Sequence, residues 1–194
     1  MMHDISKKIT HFFIQLNFID ESSEVWCQYV VEKKVMQALF LIITFIVAFL
    51  YNQIFETLIF CVVFCSIRER MGGWHAPYPW LCLVLSGLII SLVAGVLVPI
   101  TLNIGLFDIF LFNNILLVIL LFTKPSYPWQ LHFGKEETVA NLKKKNILVL
   151  FFGLFNLIFL VLKCRGMLGS MLWALVFSIG LLQIEVIINR KEND

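Results

Sequence analysis

From Val35 to Ile67 the chain carries a single charge, Glu56, and from Leu81 to Phe122 a single further one, Asp108. Asn146 to Leu162 carries none, and Leu168 to Ile188 only Glu185. Runs of this length must be hidden from water. An ordinary globular domain hides them behind a polar shell, for which about a quarter of its residues are charged. Here 60% of residues are hydrophobic and 14% charged, too few to build that shell. The bilayer is then the solvent for the outer surface. With no water to meet backbone polar groups there, each run must be a helix. The expected fold is an all-α integral membrane protein forming a single domain over 1–194.

The polar breaks divide the apolar sequence. A crossing of about 30 Å takes roughly 17–25 helical residues. Val35 to Ile67 exceeds one crossing, and its only polar break is Tyr51-Asn52-Gln53. The reading is a helical hairpin whose second arm covers about 54–70. Leu81 to Thr101 forms a third span, with Pro99 near its end. Gly105 to Phe122 forms a fourth and Asn146 to Leu162 a fifth. Lys163-Cys164-Arg165-Gly166 is a tight turn, and Leu168 to Ile188 the sixth span. The transmembrane bundle thus covers 35–188, with about six helices and polar loops near 68–80 and 123–146.

Ahead of the bundle, 4–34 reads as interfacial helices. Ile5, Ile9, Phe12, Phe13, Leu16 and Ile19 share one helical face, with Lys7, Lys8, Thr10, His11 and Gln15 opposite. This helix is too short and polar to span and suits the membrane surface. A second helix, about 24–34, carries Trp26 and Tyr29 and leads into the bilayer. Met1 to Lys8 is polar, so no cleavable signal peptide is expected.

Positive charge orients the bundle. If the N-terminus is cytoplasmic, all but two of the 15 Lys and Arg residues fall on the cytoplasmic side; the two are Lys163 and Arg165. Both termini and the loops at 68–80 and 123–146 are therefore expected in the cytoplasm.

The first of these loops holds the chemistry. Arg68-Glu69-Arg70-Met71-Gly72-Gly73-Trp74-His75-Ala76-Pro77-Tyr78-Pro79-Trp80-Leu81-Cys82 joins two spans. In one continuous helix, His75 and Cys82 would lie about 10 Å apart along the axis. Pro77 and Pro79 prevent that helix by fixing their own φ and disfavouring helical geometry in the residue before each. The segment 71–79 should instead turn, folding His75 back toward the start of the third span. Pro79 suits a first helical turn. Cys82 then lies near a helix N-terminus, where the dipole favours a thiolate. Gly72 and Gly73 supply backbone freedom for the turn. A thiol beside an imidazole is the arrangement of a nucleophile and its base. The plain alternative is a loop histidine and an unrelated cysteine.

The five cysteines, Cys27, Cys61, Cys65, Cys82 and Cys164, are odd in number and mostly lie in apolar sequence, so a disulfide framework is not expected. No spacing suits a metal, and no cofactor is expected.

The pattern Arg68-x3-Gly72-Gly73-x-His75-Ala76-x5-Cys82, set between apolar runs after an amphipathic start, resembles the accessory gene regulator B (AgrB) family of membrane cysteine endopeptidases. The layout matches along essentially the whole chain, and Lys124-Pro125 is similar to the family's second cytoplasmic loop. The resemblance implies that Cys82 is the nucleophile and His75 its base, with Arg68 and Gly73 at motif positions important for activity. Arg68, Gly72 and Gly73 are candidates to support the turn or the oxyanion. The implied substrate is an AgrD-like propeptide with an amphipathic leader, a cysteine-containing signal segment and an acidic tail. The tail is cut off, and the signal segment closes to a thiolactone or lactone.

Arg70, Lys143, Lys144 and Lys145 are candidates to hold the acidic tail. Their alternative is ordinary anchoring at the membrane surface. Expected partners are the propeptide and the lipid bilayer, with a second copy of the chain as a further candidate and no nucleic acid. Asp108, Asn113, Asn114, Gln183 and Glu185 are polar groups within the spans; Asn113 and Gln183 suit contacts between helices. The rival to the enzymatic reading is a small non-enzymatic transporter or export partner with Asp108 and Glu185 along its path.

Overall fold

The computed structural model describes residues 7, 9–12, 14, 24–74, 79–125 and 135–193. Among them the protein is helical apart from its turns and loops, with no strand. The elements are α1 (Glu24–Leu50), α2 (Ile54–Met71), α3 (Pro79–Leu92), a π-helical turn (Val93–Leu97), α4 (Val98–Thr101), α5 (Leu106–Phe122), α6 (Lys135–Val161) and α7 (Arg165–Asn193). Four segments are long and apolar enough to cross a membrane: Val30–Leu50, Trp80–Thr101, Val139–Val161 and Arg165–Ile188. α5 is apolar but has 17 residues, or about 25 Å of helix. α2, with 18 residues, carries Glu56 and the Arg68-Glu69-Arg70 cluster.

The expected interfacial helix over 24–34 is not a separate element. It runs without a break into the first apolar stretch as α1, because no glycine or proline interrupts the sequence from Glu24 to Leu50. In the N-terminal segment, residues 7, 9–12 and 14 are helical. Thr10, expected on the polar face, is fully buried, while Phe12 is 58% exposed. In a bilayer an apolar ring loses nothing by facing outward, so the protein-facing side need not be the apolar one.

The two tight reversals end their helices alike. After α1, Asn52 takes φ 52°, Gln53 N–H donates to Ala48 C=O at 3.0 Å and Asn52 N–H to Phe49 C=O at 3.2 Å. After α6, Lys163 takes φ 55°, Cys164 N–H donates to Phe159 C=O at 2.9 Å and Lys163 N–H to Leu160 C=O at 3.1 Å. Both are Schellman closures, which satisfy carbonyls that a helix end leaves open. In the second, the left-handed residue is Lys163, and Gly166 already belongs to α7. Pro99 causes the π turn. It has no N–H to give to Gly95 C=O, and the backbone widens before it, with Val98 N–H reaching Val93 C=O.

α2 is the central helix. Phe60, Val63, Phe64, Ile67 and Met71 are buried against Met171, Leu175 and Leu182 of α7, with Ile90 and Val93 closing the cluster. Phe60 stacks on Phe64 at 5.4 Å between ring centres and meets Phe177 edge-on at 6.4 Å. A polar tie binds α5, α6 and α7. Asn113 Nδ2 donates to Asn156 Oδ1 at 3.0 Å and to Leu168 C=O at 3.1 Å, and Asn156 Nδ2 donates to Phe110 C=O at 3.3 Å. Asn113 is thus an interhelical contact as expected, while Gln183 is exposed. The large exposed side chains, Phe49 and Phe122 above all, are those a lipid surface accommodates.

Candidate active site

The site forms where α2 stops. Gly72 N–H donates to Arg68 C=O at 2.9 Å, closing the last turn, and the backbone then passes through Gly72 at φ 76° and Gly73 at φ 114°. Both values lie where side chains other than hydrogen are strained. Gly73 is also buried against α7. A Cβ there would lie 3.5 Å from Leu182 N and 3.6 Å from Leu181 O, ordinary contact distances, so conformation rather than space calls for glycine. Gly72 and Gly73 thus supply the backbone freedom expected of them, while residues 75–78 of the expected turn over 71–79 lie outside the described residues.

Trp74 is held from two sides. Its N–H donates to Leu181 C=O of α7 at 3.1 Å, and its C=O accepts from Arg68 Nη2 at 2.7 Å. Arg68 therefore does more than mark topology. Its half-buried guanidinium lies over the Phe64 ring at 5.5 Å and interacts electrostatically with Cys82 first, then with Cys65 and more weakly with Glu185 of α7. One planar group with several fixed donors thus joins the α2 end to the turn and faces the start of α3.

α3 begins at Pro79, as its suitability for a first helical turn predicts. Cys82 follows on the next turn, partly exposed and facing Arg68. This position combines a helix N-terminus with a neighbouring cation. His75, Ala76, Pro77 and Tyr78 lie outside the described residues, and with them the expected contact between His75 and Cys82. Among the described residues no three His, Cys, Asp or Glu side chains gather as metal ligands would.

The comparison with known families decides the lineage. The model of the family described as Accessory gene regulator B matches residues 6–188, almost the whole chain. The chain belongs to the AgrB family. The family places it in the agr quorum-sensing system as a membrane protein. No curated protein and no solved structure matches the chain.

Set against this AgrB assignment, the basic candidates separate. Arg70 is half-buried, and Lys143 and Lys144 are exposed on α6. Lys145 is not a surface cation. It is buried, and its Nζ donates to Leu120 C=O at 3.0 Å, Leu121 C=O at 2.8 Å and Thr123 C=O at 3.0 Å. It closes the C-terminal end of α5, where carbonyls lack helical partners. Two contributors escaped the sequence reading of the site. The Leu181 carbonyl has no side-chain signature at all. Glu185 had one, a charge in an apolar run, but nothing in the sequence joined it to Arg68.

Proposed function

We propose that this protein is a membrane-embedded cysteine endopeptidase that removes the acidic C-terminal tail of an AgrD-like propeptide and promotes cyclisation of the remaining signal segment. The observation that best supports this is Cys82, in the first turns of α3 and within electrostatic reach of Arg68, in a chain of the AgrB family. In this reading six helices cross the bilayer, α2 and α5 included. Both termini and the α2–α3 loop lie in the cytoplasm, where an unexported propeptide would be met.

The chemistry runs in two halves. His75 takes the Cys82 proton, and the thiolate attacks the carbonyl joining signal segment to tail. The C–N bond then breaks. The tail leaves with its new amine protonated by the imidazolium, and the signal segment stays on Cys82 as a thioester. A substrate cysteine next gives its proton to His75 and attacks that thioester. Cys82 leaves as thiolate and recovers the proton, and the product is a thiolactone; a substrate serine would give a lactone. The second half exchanges one thioester for another, so little energy separates the two. Water must be kept from the acyl-enzyme for cyclisation to win over hydrolysis, which the membrane boundary favours.

Gly72 N–H and Trp74 N–H are already engaged, so neither is the donor for the oxyanion. The open N–H groups that any helix carries in its first turn, here that of α3, suit the role better. Arg70, Lys143 and Lys144 attract the acidic tail, while Lys145 remains with the α5 carbonyls.

The test is cleavage of a propeptide by purified protein in liposomes. Cys82→Ala and His75→Ala are each expected to abolish cleavage while inserting into the membrane as the parent does. Cleavage by Cys82→Ala sinks the proposal and favours the transporter reading.

A further inference from the structure

Along α2, Phe60, Phe64 and Arg68 recur at every fourth position and so share one helical face. The structure stacks them into a column. The Phe60 and Phe64 rings lie 5.4 Å apart and 14° from parallel, and the Arg68 guanidinium lies 5.5 Å from the centre of the Phe64 ring. Packing fixes the base of the column. Phe60 is fully buried and meets Phe177 of α7 edge-on at 6.4 Å, and Phe64 is itself buried. An arginine has many rotamers to lose in holding one position. An aromatic face narrows them, because it attracts a planar guanidinium whose donors point in fixed directions. Arg68 leans back over the preceding helical turn, as helical side chains do. The Gly72–Gly73 turn returns the chain to it, and Nη2 meets the Trp74 carbonyl at 2.7 Å. That carbonyl belongs to the peptide joining Trp74 to His75, and a peptide is planar, so holding the oxygen also orients the His75 nitrogen. The preceding peptide is held too, since Trp74 N–H donates to Leu181 C=O at 3.1 Å.

We propose that Phe64 and Arg68 are positioning residues: the ring seats the guanidinium, the guanidinium fixes the plane of the Trp74–His75 peptide, and His75 is thereby aimed at Cys82. The inference rests on the cysteine-peptidase reading of the site. It separates Arg68 from two other roles open to a cation there, holding the oxyanion and drawing in the acidic tail. It also adds Phe64, which lies outside the motif at 68–82 and reads in sequence as one packing residue among many.

The experiment uses the full-length protein in liposomes. It compares the parent with Arg68→Lys and Phe64→Met, each also combined with His75→Ala. Arg68→Lys keeps the charge and loses the planar fork; Phe64→Met keeps most of the apolar volume and loses the ring face. Propeptide cleavage gives kcat and KM. The rate of Cys82 alkylation by iodoacetamide between pH 6 and 9, followed by peptide mass spectrometry, reports how far His75 activates the sulfur without any turnover. Each single variant is expected to lower kcat by about tenfold, with KM little changed and the alkylation profile moved toward that of His75→Ala. In the His75→Ala background neither substitution should move the profile further, because the residue they act through is gone. Parent-like kcat and alkylation in either variant overturns the inference. So does a profile shift that persists undiminished without His75, or a rise in KM alone that fades with salt, which would make Arg68 a tail contact. If Phe64→Met does not fold, Phe64→Leu takes its place; if neither folds, the inference stands or falls on Arg68→Lys by the same readings. Each overturning result, with cleavage still dependent on Cys82, leaves the peptidase reading intact. Cleavage by Cys82→Ala overturns that reading instead.

Discussion

Gly73 shows how much of the site is set by single residues. At φ 114° it lies where an L side chain is strained, even though a methyl group would have room beside Leu181 and Leu182. Gly73→Ala should therefore lower stability by roughly 1–3 kcal/mol and displace Trp74 from its two hydrogen bonds. Thermal unfolding in detergent checks the first effect and propeptide cleavage the second. Gly180→Ala is the control, since nothing lies within 4 Å of a methyl group there, and it should be neutral or mildly stabilising. At this scale the sequence was informative wherever chemistry is local. The paired glycines announced a turn, and Pro79 announced a helix start, because both act through their own backbone. The hold of α7 on the Trp74 peptide was not legible. Leu181 lies on a helix far along the chain, and a carbonyl leaves no mark in sequence.

Helix boundaries followed the same division. Asn52 and Lys163 end their helices through local left-handed turns that the polar breaks foretold. The continuity of α1 through 24–34 was not legible because the polar residues in its first half resemble a boundary, while no glycine or proline from Glu24 to Leu50 breaks the helix. Lys145 was misplaced for a related reason. Within Lys143-Lys144-Lys145, nothing local says which cation turns inward; the α5 end opposite α6 selects it. Lys145→Met should leave three carbonyls without this donor and cost roughly 1–3 kcal/mol in thermal stability. Lys144→Gln should cost under about 0.5 kcal/mol. The two should differ in the opposite sense in inhibition by a free acidic tail peptide. Lys143→Gln and Lys144→Gln are expected to weaken it, Lys145→Met to leave it as in the parent. Inhibition in the parent should also fade as salt rises. Inhibition indifferent to salt removes the basic residues from tail binding.

The whole molecule is an all-α bundle whose apolar side chains face outward around α2 and α7, an arrangement that composition alone made necessary. Its orientation is a separate matter, resting on where the 15 basic residues fall. A cysteine placed at Lys163 should react with a membrane-impermeant maleimide in intact cells, and one placed at Lys144 only after permeabilisation. The reverse pattern would put the α2–α3 loop outside and away from its substrate. The central claim, that Cys82 carries the peptide during turnover, has a more direct test. The protein is mixed with propeptide, quenched in acid and its intact mass measured. The account predicts an adduct on Cys82 equal in mass to the propeptide without its tail, less one water, released by hydroxylamine and missing in Cys82→Ala. Tail release that proceeds undiminished in Cys82→Ala, with no adduct on the parent, would contradict it.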